Sequence, residues 1–395
     1  MRPFLIAGSL IVVLLWSVTI VRADATSSGS QPAGPAASKE ALRQKAMPAI
    51  DRAVKYQFGK QTENGGWEIM PGVTDPAVTA MVAQCLIQHP DYGPKHPAVE
   101  KAMKFVVSFQ QPDGGIYSTQ IGYRNYTTSV VLMALSSMKT ASMGDYTAGA
   151  AKYLKDNQWT EGTCDPEGKP ITPEHPWYGG AGYGQSRRPD LSNTQMMLEA
   201  LHQSGLPPTD PAYQKAIQFV LRCQMSERSN DQPFAKGADD GGFIYTPANG
   251  GESKAGTDEV NGRPRLRSYG SMTYAGFKSM LYANVDRNDP RVKAAWDWIR
   301  RNYTLTSNPN MPGAQSQEGL YYFYHVFAKA LEAWGEPLLV DSANRRHDWR
   351  ADLIDQLIKT QRPDGSWVNE ADRWHEGNPS LVTAYAVLAM QAAIK

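Results

Sequence analysis

The residues of this 395-residue chain best suited to chemistry stand in one short aromatic stretch, YYFYHVF, Tyr321 to Phe327. An imidazole beside phenols can move protons, so His325 is a candidate general acid or base, with Tyr324, Tyr274 and Arg267 as candidate partners. A second set lies in two long segments rich in Gly and Pro. Gln158 to Asp190 carries His175, Trp177, Tyr178, Tyr183, Arg187 and Arg188, and Gln224 to Arg267 carries Tyr245, Asp258, Arg265 and Arg267. Structured loops of this length usually serve a purpose, either as a binding surface or as a cover over the scaffold. Tyr269, Tyr321, Trp374, Tyr183, Trp177, Tyr178 and His175 are the candidate ligand-binding residues. Aromatic faces can hold an apolar chain and stabilise a developing cation, although such rings at helical spacing also build ordinary cores.

These residues must be positioned by helices. On a helix Tyr321, Tyr324, His325 and Ala328 share one face, and Phe323, Phe327 and Trp334 share the other. The same helical pairing recurs along the chain. An amphipathic first helix such as WRADLIDQLIKTQ, Trp349 to Gln361, leads through a turn to a more apolar second helix such as NPSLVTAYAVLAM from Asn378. Asp75 and Asn378 are placed to cap second helices, with Pro76 and Pro379 at the first helical position, where a missing N–H costs nothing. Asn125, Ser192, Asn193, Ser268 and Thr383 are further cap candidates. First helices near Ala98, Tyr146, Ala212 and Arg291 pair with second helices near Tyr126, Ser192, Tyr269 and Tyr321. Six hairpins result. Because the second helices are apolar on nearly every face, they form an inner ring inside the first ones. The expected fold is all-α, an (α/α)6 toroid of six helical hairpins.

The turn is itself a repeat: QTENGGW from Gln61, QQPDGGI from Gln110 and QRPDGSW from Gln361. The Gln is expected to bond the last carbonyls of its own helix, the Asp or Asn with the Gly to reverse the chain, and Trp67 or Trp367 to pack back over the turn. DGGF, Asp240 to Phe243, keeps only the second half. Gln, two residues, Asp or Asn, Gly, Gly or Ser, then Trp, in a six-hairpin helical chain, resembles the QW repeats of the terpene cyclase and protein prenyltransferase superfamily, squalene cyclases included. The resemblance covers about residues 41–395. It implies the fold more strongly than the activity. The acidic D-x-D-D motif of squalene-hopene cyclases has its nearest counterpart in GADDGG, whose Asp239 and Asp240 sit in a QW-like turn. The Asp-x-Cys pair and His that hold zinc in prenyltransferase β subunits reduce here to His325 alone. The thioester stretch Cys-Gly-Glu-Gln of the complement-like proteins is absent. The chain thus resembles exported bacterial single-barrel members, for which no cofactor and no metal are implied.

Composition narrows the partners. With 40 basic and 39 acidic residues the net charge is +1, without a run of one sign, which argues against nucleic acid. Arg2 and an apolar run from Phe4 to Val21 ending in ADA read as a signal peptide, residues 1–25, with an uncleaved anchor as the alternative. Residues 26–40 read as a flexible linker, residues 41–395 as a single domain, and the protein as exported to the periplasm, envelope or exterior. Cys85, Cys164 and Cys223 allow at most one internal disulfide. Three functions remain open: binding and transforming an apolar small molecule or lipid such as an isoprenoid, lyase-type action on a polysaccharide through Tyr, His and Arg, and a non-catalytic envelope binding protein.

Overall fold

The computed structural model describes residues 36–184, 188–260 and 262–395; the expected leader, most of the linker, and Arg187 lie outside the described residues. Ser38 accepts a bond from the Ala41 backbone at 3.1 Å and caps the first helix, so folding begins inside the expected linker. Six hairpins follow: α1 (Lys39–Phe58) with α2 (Pro76–Ile87), α3 (Pro97–Val107) with α4 (Arg124–Met138), α5 (Gly144–Asp156) with α6 (Leu191–Gln203), α7 (Pro211–Arg222) with α8 (Gly270–Tyr282), α9 (Pro290–Arg301) with α10 (Leu320–Trp334), and α11 (Trp349–Thr360) with α12 (Pro379–Ala393).

The burial pattern sorts these helices into two layers. From Pro76 to Leu86 every residue of α2 is buried, and from Ser380 to Ala393 every residue of α12. Outer helix α9 buries only Val292, Ala295, Trp298 and Ile299, one stripe of a helix whose other faces carry Lys293, Asp297, Arg300 and Arg301. Each inner helix packs on the next, α2 on α4, α4 on α6, α6 on α8, α8 on α10 and α10 on α12, and α12 packs back on α2. The ring is closed. Among the described residues four two-stranded antiparallel ribbons decorate the all-α scaffold: β1 (Trp67–Met70) with β2 (Val73–Asp75), β3 (Gln224–Ser226) with β4 (Asp239–Phe243), β5 (Thr257–Val260) with β6 (Arg263–Leu266), and β7 (Leu338–Val340) with β8 (Arg346–Asp348).

The repeated turn differs from its expected wiring. Gln61 Nε2 donates to Gly65 O at 3.0 Å and to Ala98 O at 2.9 Å, in the first turn of the next outer helix. Gln361 does the same to Gly365 O at 2.9 Å and Ala49 O at 2.8 Å, joining the last hairpin to the first. The carbonyls that Gln was expected to reach are served by the indoles, Trp67 Nε1 to Gln57 O and Trp367 Nε1 to Leu357 O, both at 2.9 Å. Two further copies are split by the long loops. Gln158 bonds Gly179 O and Ala212 O at 2.9 and 3.0 Å, and Gln224 bonds Gly241 O and Arg291 O at 3.1 and 2.9 Å. The glycine is needed for space as well as for its positive φ. A Cβ on Gly365 (φ 89°) would lie 2.5 Å from Arg52 O, and one on Gly241 (φ 79°) 2.4 Å from Ala294 O.

Candidate functional site

All six inner helices point their N-termini the same way, and at that end the barrel opens into a cavity of about 410 Å³. Seven tyrosines line it: Tyr123, Tyr126, Tyr183, Tyr245, Tyr269, Tyr322 and Tyr385. Ile69, Met70, Val78, Ile121, Met272 and Leu381 supply apolar wall, and Asp75, Lys254, Trp374, His375 and Glu376 stand among them. The hydroxyls of Tyr126 and Tyr385 bond each other at 2.8 Å, and Tyr322 Oη accepts from Gln195 Nε2 at 3.0 Å. Burial pushes the Tyr126 phenol up to about 12, so it faces the cavity as a neutral hydroxyl.

Converging helix N-termini carry partial positive charge, and buried carboxylates offset it. Asp75 caps α2 through Ala77 N and Val78 N at 2.8 and 2.9 Å, and Asp190 caps α6 through Asn193 N at 2.9 Å. Burial holds both acids above the ordinary aspartate range, opposed by these bonds. Helix α10 begins at Gly319 without a cap side chain of its own. Glu376, from the loop between α11 and α12, supplies one. Its Oε1 accepts from Tyr322 N at 2.7 Å and its Oε2 from Asn369 Nδ2 at 2.6 Å. The residue is 1% exposed, and burial raises its carboxyl to about 7 against the pull of these donors. The two residues before it, Trp374 (φ 58°) and His375 (φ 65°), adopt left-handed backbone that side chains other than glycine rarely take. Backbone strain of this kind persists where the surroundings enforce it, and here it delivers Trp374, His375 and Glu376 together to the cavity.

Among the residues singled out in the sequence, Tyr183, Tyr269 and Trp374 line this cavity, and so does Tyr245 from the second long loop. The others go elsewhere. Tyr324 Oη donates to Leu305 O at 2.6 Å and accepts from Gln356 Nε2 at 3.3 Å, which places it between α10 and α11. Tyr321 stacks edge-on against it, ring centroids 5.5 Å apart. Tyr274 is fully buried against Phe323 and Phe327. Arg267 pairs with Asp258 across β5 and β6, its Nε 2.8 Å from Oδ1. His175, Trp177 and Tyr178 belong to a separate cluster with Trp159, Ile171 and Ala248: His175 Nε2 is 3.3 Å from Asp165 Oδ2, and Tyr178 Oη donates to Glu161 at 2.7 Å. His325 lies one helical turn beneath Tyr322, its ring 5.6 Å from that of Tyr385. The expected face of α10 is therefore corrected. Tyr322, His325 and Lys329 face the axis, while Tyr321 and Tyr324 turn to the outer layer, because tyrosines stand on both sides of this helix and the polar pair His325 and Lys329 lies on the side of Tyr322. The further cap candidates are corrected too, since Asp190 rather than Ser192 or Asn193 caps α6, and the Asn125 side chain bonds no described residue.

Glu376, Tyr322, Tyr385, Tyr126 and Tyr123 escaped the sequence reading. A signal for four of them was present: Tyr123, Tyr126, Tyr322 and Tyr385 lie within two turns of an inner-helix start, at the capped end. Glu376 had none, since its approach depends on the strained loop.

Comparison with known proteins agrees with the architecture. The squalene-hopene cyclase C-terminal domain family matches residues 69–171. No curated protein sequence matches. Among solved structures, a protein from Actinoplanes is 17% identical with a TM-score of 0.52, covering 89% of this chain and 100% of its own. The type II terpene cyclase MstE from Scytonema is 14% identical with a TM-score of 0.54, covering 89% and 98%. An α-1,6-mannanase from a Salegentibacter species is 9% identical with a TM-score of 0.54, covering 88% and 98%. The chain is a helical toroid of terpene cyclase-like fold with a squalene-hopene cyclase-type segment at residues 69–171.

Proposed function

We propose that this chain is exported, that it binds an apolar ligand of isoprenoid character in the tyrosine-lined cavity, and that the buried acids at its rim, Glu376 and Asp75, carry acid–base chemistry on it. The observation that carries the reading is Glu376, a carboxyl buried at the wall of a largely apolar cavity and raised to about 7, where it can hold and release a proton near neutrality. Tyrosine faces around it suit a ligand that develops positive charge after protonation. A cavity of 410 Å³ lies within the range of small-molecule sites. The D-x-D-D acid of squalene-hopene cyclases has no counterpart here. Asp240, in the nearest stretch, accepts from Gly242 N and Ser268 Oγ, both at 2.8 Å, as part of a turn.

The test is native mass spectrometry of protein purified gently from its own envelope, with extraction and identification of what is bound. An isoprenoid should co-purify with the wild type and be lost in Met272→Trp, which fills the cavity. Absence of any bound lipid, with no binding of farnesol or geranylgeraniol but binding of an oligosaccharide from a mannan panel, would overturn the reading in favour of a polysaccharide substrate.

A further inference from the structure

Beneath the cavity floor the barrel axis turns polar. One helical turn deeper, the cavity residues Tyr126, Ser192, Tyr322 and Tyr385 are followed by Val130, Met196, His325 and Leu388, which line a second, smaller space of about 10 Å³. A turn of helix rises about 5.4 Å, so one layer of side chains separates the two. The polar walls of this chamber are Gln84, Gln88, Glu199, His325 and Lys329, and its size is that of a single water molecule's site. Gln88 also lines a third space, a cleft of about 420 Å³ between outer helix α1 and the C-terminal ends of α2 and α12, bounded by Arg43, Met47, His89, Gln391 and Lys395. Cavity and chamber thus follow one another along the axis, and Gln88 stands between the chamber and the cleft.

The charges in the column extend outward in the same direction. Glu199 and Lys278 form a fully buried pair, Lys329 lies 3.8 Å from Glu199 and 3.3 Å from Glu332, and Lys395 lies 3.5 Å from Glu332. His325 stands at the inner end of this chain. It is 4% exposed, and its Nδ1 has no hydrogen-bond partner among the described residues. Burial, with Lys278 and Lys329 nearby, lowers its imidazole to about 3 against the attraction of Glu199. The ring is neutral, with one nitrogen to donate and one to accept.

We propose that this column is a water and proton route between the far cleft and the cavity floor, with His325 as its inner relay. A proton accepted at one ring nitrogen is balanced by one released from the other, and rotation of the ring or reversal of the transfer restores the starting tautomer. No electrons move. The route matters because an apolar ligand in the cavity shuts the mouth to solvent, so a proton gained or lost there needs another way to bulk water. That consequence rests on the ligand reading above, but the route itself does not.

The experiment uses ligand-free full-length protein labelled with ¹⁵N-histidine, with the His325 signals assigned by their loss in His325→Gln. After transfer to D2O, the His325 ring N–H should exchange within seconds. In Gln88→Leu it should slow by roughly tenfold or more, because water in the chamber loses a polar partner. Gln88 is half-buried at the end of α2, and Gln88→Met serves as a second variant should the first fold poorly. Exchange of the His325 N–H as slow as that of core amides overturns the proposal, as does fast exchange that both Gln88 variants leave untouched. Either result leaves ligand binding in the cavity standing.

Discussion

Glu376 shows how much one side chain settles in this molecule. A carboxyl whose pKa rises from its ordinary 4.5 to about 7 on folding binds its proton more tightly in the native state than in the unfolded one. Its contribution to stability is therefore complete below about pH 4.5 and is lost as pH rises through about 7, a difference on the order of 3 kcal/mol. Glu376→Gln keeps an oxygen for Tyr322 N but does not titrate. Urea unfolding of both proteins between about pH 5 and about pH 8 should show the wild type losing stability relative to the variant by that order. Parallel profiles would mean that Glu376 does not hold its proton as the cavity reading requires. The sequence offered no hint of this residue. It is the left-handed backbone of Trp374 and His375 that swings the acid onto the start of α10.

At the scale of the element, the inner helices share a device that the turn motif conceals. In five hairpins a threonine in the first turns of the inner helix accepts the backbone N–H that ends the repeated turn: Thr79 from Trp67, Thr128 from Ile116, Thr194 from Ala181, Thr273 from Phe243 and Thr383 from Trp367, at 2.9 to 3.1 Å. In α10 the corresponding position, two residues past the cavity-lining Tyr322, holds Tyr324, whose hydroxyl donates to Leu305 O in the loop after α9. Each of these N–H groups is buried, so removing its acceptor leaves a donor without a partner. Thr79→Val and Thr273→Val, which preserve shape, should each lower unfolding free energy by about 1–3 kcal/mol. Equal losses at the two sites, measured by urea denaturation, would show one repeated joint; no loss at either would show that the hydroxyls are incidental. The threonines were legible as residues but not as a set. Their spacing to the turn varies with loop length, from 12 residues between Trp67 and Thr79 to 30 between Phe243 and Thr273.

At the scale of the whole molecule the decisive feature is closure. Gln361 binds Ala49 O, Gln57 Nε2 donates to Ser380 O at 2.8 Å, Asn378 Nδ2 donates to Glu68 O and Ile69 O at 2.9 Å each, and Gln391 Nε2 donates to Cys85 O at 2.9 Å. The first and last hairpins are joined as firmly as sequence neighbours. An open array of helical pairs frays from its ends, whereas a ring has none. Amide hydrogen exchange should therefore find α2 and α12 as well protected as α6 and α8, and Gln361→Ala should lower protection first in α1 and α12. Early exchange of the end hairpins in the wild type would show that the closing contacts carry little energy.

By itself the sequence determined the twelve helices, their two layers and the closing of the ring, because each rests on local periodicity, on caps such as Asp75 and Asn378, and on an apolar surface that must be buried on both sides. Tertiary structure decided which face of each inner helix meets the cavity. An inner helix packs a neighbour on each flank and an outer helix behind, so most of its circumference is apolar, and at the level of the cavity tyrosines stand on more than one face. Tyr322 and Tyr324 look alike in sequence. One meets the cavity and the other a carbonyl of the loop after α9, and only the rotation fixed by packing α10 between α8, α11 and α12 separates them.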